Sequence, residues 1–65
     1  MYLRRLKDLR EDHDYTQKYV ANVLNISQNS YSDIETGKTN ISIEFLIQLA
    51  DLYNVSTDYI LERKK

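Results

Sequence analysis

The sequence predicts an all-α fold, a compact bundle of five short helices, and three observations carry that expectation. Apolar residues recur at helical spacing, period-2 alternation is never sustained, and capping residues punctuate the chain where breakers are almost absent. There is no Pro, and Gly37 is the one glycine. Helix ends are therefore marked by the triplets Asn25-Ile26-Ser27, Asn40-Ile41-Ser42 and Asn54-Val55-Ser56. Asn tolerates the left-handed conformation that ends many helices, and Ser is a favoured N-cap. In the first and last triplets one helix stops at Asn and the next starts at Ser. The middle triplet follows a loop, where Ser42 alone acts as a cap.

The elements follow in order. Leu3, Leu6 and Leu9, joined by Tyr2, predict a first helix over residues 2–13. Thr16 caps a second, carrying Val20, Ala21 and Leu24. Ser27 caps a third, with Tyr31 and Ile34 inward and an end near Thr36-Gly37. Ser42 caps a fourth, whose inward residues are Phe45, Leu46, Leu49, Ala50 and Tyr53. Ser56 caps a short fifth, with Tyr59, Ile60 and Leu61. Residues 1–65 are read as one domain, since 65 residues sit near the size where a single core becomes marginal.

Composition narrows the function classes. Without Cys and with a single His, neither disulfides nor a zinc site can staple the core, and no metal or other cofactor is expected. No window resembles an export signal, and no apolar run approaches the about 20 residues of a membrane span. A cytoplasmic location and no membrane partner are the resulting expectations. Asp12-His13-Asp14 is the nearest approach to a catalytic or metal-binding cluster. Neighbouring helical residues do not face one another, and nothing elsewhere completes a site, so no enzyme and no small-molecule substrate is expected. The basic end Arg63-Lys64-Lys65 reads as a solvated terminus that suits a helix C-terminal dipole, with contact to DNA as the alternative.

The most informative stretch is residues 16–36, two helices joined by a short Asn-centred turn. Two helices crossing steeply need a small residue at their close approach, and Ala21 supplies it. Val20, Leu24, Tyr31 and Ile34 hold the pair together, with Ile26 beneath the turn. That is a helix-turn-helix. Removing Tyr31 and Ile34 from the third helix leaves Gln28, Asn29, Ser32, Asp33 and Thr36 as one exposed face. It is nearly uncharged, where an ordinary solvated face is rich in Lys and Glu. Amides bond adenine N6 and N7 together, and hydroxyls serve several base edges, so the face suits DNA.

Thr16-Gln17, Val20-Ala21, Leu24, Ile26-Ser27, Tyr31, Ile34-Glu35, Gly37-Lys38 and Asn54-Val55-Ser56 together resemble the phage-repressor family of helix-turn-helix regulators. This is the Cro-like and xenobiotic-response-element-like (XRE) group, with a lambda-repressor-like fold, and the resemblance spans residues 3–61. It implies sequence-specific binding of double-stranded DNA by a transcriptional regulator, most often a repressor, whose third helix enters the major groove. By position it implies base contacts from Gln28, Asn29, Ser32 and Asp33. It implies phosphate contacts from Gln17, Thr36, Lys38, Thr39 and Asn40. The charge of Lys18 favours a nearby phosphate as well. Arg10 and Glu35 match a structural salt bridge between the first and third helices.

The sequence departs from the family pattern at several places. Asn25 and Asn54 stand where Gly is common, and Ile41 where Pro is frequent. Lys18 and Tyr19 replace acidic residues at the start of the second helix, and Asp33 replaces a basic or amide side chain. A carboxylate facing DNA repels phosphates unless it accepts a bond from cytosine N4. The net charge is −1, and Lys18, Asp33, Glu35 and Lys38 cancel between residues 16 and 40. The directions of Arg4, Arg5 and Lys7 are open at this point. So few phosphate-neutralising groups call for two copies, a homodimer on half-sites about 34–36 Å apart or a multiple of it. Leu52, Tyr53, Tyr59, Ile60 and Leu61 are the apolar residues available to a dimer contact or to the core. The alternative is a protein-binding module of the same fold, such as an antitoxin or anti-repressor subunit, which Asp33 and the net charge favour.

Overall fold

A computed structural model describes residues 2–62. The three basic residues at the end, Arg63, Lys64 and Lys65, lie outside that range. Five helices follow one another: α1 Arg4–Asp12, α2 Gln17–Leu24, α3 Gln28–Thr36, α4 Ile43–Tyr53 and α5 Thr57–Leu61. Among the described residues there is no strand.

Each helix after α1 begins with a hydroxyl cap. The side chains of Thr16, Ser27, Ser42 and Ser56 accept from the backbone N–H three residues on, at Tyr19, Ser30, Phe45 and Tyr59. One otherwise orphaned donor per helix is satisfied in this way. The C-terminal ends are closed by left-handed residues. Asn25 has φ 60° and Asn54 φ 54°, and Gly37 takes φ 84° with no Cβ to obstruct it. After Asn25, Ile26 N–H reaches back to the Ala21 carbonyl, and after Asn54, Val55 N–H reaches Ala50. These six-to-one bonds, with the paired bonds Asn25 to Asn22 and Asn54 to Asp51, are Schellman closures. The end of α1 is closed in the same manner by Asp14 at φ 57°, which periodicity does not reveal.

The core is built by all five helices. Leu3, Leu6 and Leu9 meet Val20, Ala21, Leu24, Tyr31 and Ile34 from the helical pair, with Leu46, Leu49, Ala50, Tyr53 and Ile60 from the last two helices. α2 packs closely on α3, α1 packs on α3 and α5, and α4 packs on α5. Ala21 is fully buried where α2 and α3 approach, and Ile26 is half-buried under their turn.

Several inward expectations need correction. Tyr2 is 61% exposed and precedes α1, because the helix starts at Arg4 with Leu3 as its cap. His13 caps the other end of α1 rather than filling its last turn. Phe45 and Leu61 are half-buried. Tyr59 is 45% exposed, since a five-residue helix turns a single side chain, Ile60, fully into the core. Of the residues offered for a dimer contact, Tyr53 and Ile60 are consumed by the core, and Leu52 and Leu61 pack against its edge. Tyr59 alone of the five stays exposed, and further exposed apolar side chains include Ile43 and Ile47, one turn apart on α4.

Candidate nucleic-acid interface

α3 is oriented by two kinds of anchor. Tyr31 and Ile34 are buried in the core, and Glu35 is the buried charged residue of the described chain. Its carboxylate faces Arg10 of α1 in a two-pronged ion pair, Nε to Oε2 at 3.0 Å and Nη2 to Oε1 at 3.0 Å. The Arg10 and Glu35 side chains are 13% and 4% exposed, so water hardly competes. Arg10 also donates to the Tyr15 carbonyl at 3.1 Å, which ties the same side chain to the corner before α2. Forked geometry of this kind defines an orientation as well as a distance.

The electrostatics of this cluster are mutually reinforcing. Burial pushes the Glu35 carboxyl up, but the hydrogen bonds from Arg10, the nearby Tyr31 hydroxyl and the Arg10 charge outweigh it, holding Glu35 below the usual carboxylate range. The bond to Glu35 raises Arg10 in turn. Burial first, then the carboxylate beside them, push the Tyr31 phenol far above its ordinary value and Tyr53 to about 12. Both hydroxyls are buried without a well-formed hydrogen bond. Both therefore remain neutral in ordinary buffers.

Gln17 sits at the start of α2 within reach of the same cluster, its Nε2 donating to Glu35 Oε1 at 3.4 Å. That long bond holds the amide at the junction of α2 and α3 and leaves its second N–H outside the pair. Gln28 and Asn29 are exposed on the first turn of α3, and Thr36 is exposed at its end. Ser32 and Asp33 are half-buried, lower on the face than an outward residue would be. The Thr36 hydroxyl donates to the Ser32 carbonyl at 2.8 Å, so its proton serves its own helix. Lys18 is exposed on α2, and Lys38, Thr39 and Asn40 are exposed on the loop after Gly37. The loop is held to α3 by Thr39 N–H donating to the Asp33 carbonyl.

The first-helix cations acquire directions that sequence could not supply. Arg4 pairs with Glu62 at 3.3 Å, and Arg5 lies over the Tyr59 ring at 4.3 Å while donating to the Tyr59 carbonyl. Both serve the α1–α5 contact. Lys7 is exposed. Asp12-His13-Asp14 forms no metal-binding group, and none is found among the described residues. His13 instead meets the Leu9 carbonyl through Nδ1 and packs beside the rings of Tyr15 and Tyr53. That aromatic corner, with Tyr19 against Tyr15, was missed because its members are spread over three elements. No described helix is long and apolar enough to cross a membrane.

The model of the helix-turn-helix family matches residues 6–60. The chain belongs to that family. Among its relatives, the helix-turn-helix member ImmR of Bacillus subtilis, named an HTH-type transcriptional regulator, is 45% identical over 58 residues, 89% of this chain and 46% of that protein. AnsR of the same organism, another HTH-type transcriptional regulator, is 37% identical over the whole of this chain and 56% of its own length. The antitoxin PezA of Streptococcus pneumoniae is 38% identical over 53 residues, 82% of this chain and 34% of that protein. This helix-turn-helix chain thus spans about half the length of the first two and a third of the last. The clp gene regulator ClgR of C. glutamicum superposes with a TM-score of 0.77 at 24% identity, over 88% of this chain and 74% of the other, and so shares its fold.

Proposed function

We propose that this chain is the sequence-specific, double-stranded DNA-binding part of a transcriptional regulator, most simply a repressor. In this reading α3 lies in the major groove. The observation that carries it is the outward face of α3: exposed amides and hydroxyls, with the charge of its one buried acid neutralised by Arg10. Gln28 and Asn29 would reach base edges first, with Ser32 and Asp33 on the next turn, Asp33 accepting from a cytosine amino group. Gln17, Lys18, Lys38, Thr39 and Asn40 would track the phosphates on either side. Thr36 is better suited to accept than to donate, because its proton is engaged.

With Arg4 and Arg5 paired at the α1–α5 contact, few other cations among the described residues are placed to neutralise phosphates. One copy would bind weakly and with a shallow salt dependence, so a homodimer in the cytoplasm, on two half-sites, completes the proposal. The names of ImmR and AnsR support the regulator reading.

Selection on random duplexes tests it, and an enriched, two-fold related motif is expected. Gln28→Ala should then lose about 1–3 kcal/mol on the selected site and relax preference at one base pair. Equal weakening on every sequence would remove Gln28 from the base readers. Lys38→Ala should weaken all duplexes alike and lower the salt slope by about one. A second reading, a protein-binding module, is favoured by the relative named an antitoxin and by the acidic Asp33 on the face. Selection that enriches no sequence would favour it.

A further inference from the structure

Behind the outward face of α3 lies an open cavity of about 280 Å³, between that helix and the segment leading into α4. Three apolar side chains from three elements wall it: Ile26 of the α2–α3 turn, Ile34 of α3 and Phe45 of α4. Ser30, Asp33 and Thr39 are polar residues of its lining. Ile26 and Phe45 are only half-buried, so apolar surface is left open to solvent here. Asp33 is half-buried too, and it has no ion-pair partner among the described residues. Glu35, two residues further along the same helix, shows the contrast, since it is paired with Arg10 and accepts from Gln17.

These features select a ligand chemistry. An anion is disfavoured by the carboxylate, and a metal ion would need more oxygen ligands than one acid, the Asn40 amide and a few hydroxyls provide. A purely apolar molecule would leave the carboxylate desolvated without compensation. What fits is a positive head beside Asp33 and an apolar body against Ile26, Ile34 and Phe45. The volume lies just under the roughly 300–1,000 Å³ of drug-sized pockets, so the occupant is of fragment size. We infer that this groove binds a small organic ammonium ion with an aromatic or branched apolar body, its nitrogen paired with Asp33. The groove shares Asp33 and Thr39 with the contacts proposed to DNA, but its ligand chemistry does not depend on that proposal.

The test uses two probes of equal size, 2-phenylethylamine and 2-phenylethanol, titrated into the isotope-labelled free chain and followed by nuclear magnetic resonance. Saturable shifts concentrated on Ile26, Asp33, Ile34, Thr39 and Phe45 are expected with the amine, at an affinity about tenfold above the alcohol's, as a charge-assisted hydrogen bond supplies. Asp33→Asn should abolish that difference while leaving the alcohol's binding unchanged, which also shows that the variant is folded. Equal affinities in the unaltered chain, a preference that survives Asp33→Asn, or shifts that never saturate or map elsewhere would each overturn the assignment. Because the readout contains no DNA, failure of the duplex selection leaves this result standing, and the reverse also holds.

Discussion

The turn between α2 and α3 and the turn between α4 and α5 are built from one pattern. Ala21 to Ser27 and Ala50 to Ser56 both read Ala, three residues, Asn, an aliphatic residue, Ser. In both, Asn is left-handed, the aliphatic N–H closes on the alanine carbonyl, and Ser caps the next helix. The helices that leave these turns differ in use. α3 runs nine residues, is anchored through Tyr31, Ile34 and Glu35, and keeps Gln28 and Asn29 clear of other elements. α5 runs five residues, and its outward Tyr59 lies under Arg5 of α1. Identical turn chemistry therefore delivers a helix at a defined angle without deciding its role. The role follows from what the helix exposes and what packs over it.

The largest test of that contrast is the Arg10 anchor, which α5 lacks. Arg10→Met should cost about 3–5 kcal/mol in urea unfolding, because it strands a buried carboxylate. Pairing it with Glu35→Leu should recover much of the loss, since an apolar pair replaces the ionic one. If the single variant costs as little as a surface substitution, Glu35 is not the anchor described here.

Acid sharpens the same point. Glu35 lies below its ordinary value of 4.5, so its contribution is fully present above that value and is lost as pH falls through the lower folded one. Unfolding free energy should therefore decline as pH falls below about 4.5, and Glu35→Gln should flatten the decline attributable to this site. An unchanged acid profile in the variant would assign the sensitivity to other carboxylates.

Smaller effects compare the two turns directly. Asn25→Ala and Asn54→Ala should each lose about 1 kcal/mol, because a residue that resists the left-handed region replaces one that accepts it. On the DNA reading, the first change should also weaken the selected duplex, and the second should act through stability alone. Equal effects on DNA would show that both turns serve binding. Cap removal by Ser27→Ala or Ser56→Ala should likewise cost about 1 kcal/mol each, measured by thermal unfolding. The smallest expected change is Tyr59→Leu, which removes the cation–π contact from Arg5 and should cost about 0.5–1 kcal/mol.

Much of this architecture was legible before any coordinates, for an identifiable reason. Caps and left-handed closures are local: Thr16, Ser27, Ser42 and Ser56 each bond three residues ahead, and Asn25 and Asn54 require nothing beyond their own helices. Helical periodicity likewise exposes Tyr31 and Ile34 as inward and Gln28 and Asn29 as outward. The errors fall at the ends, at Tyr2 and Tyr59, where periodicity has too few turns to average over.

Helix number, order, caps and the polar face of α3 are thus encoded in short stretches of chain. Which cations remain available, which acid is satisfied and where an apolar groove opens depend on segments distant in sequence. Arg5 meets Tyr59 across 54 positions and Arg10 meets Glu35 across 25. The cavity beside Asp33 is walled by Ile26, Ile34 and Phe45, which come from three different elements. Such outcomes are set by packing between elements, where side-chain direction and distance matter, and no local propensity carries that information.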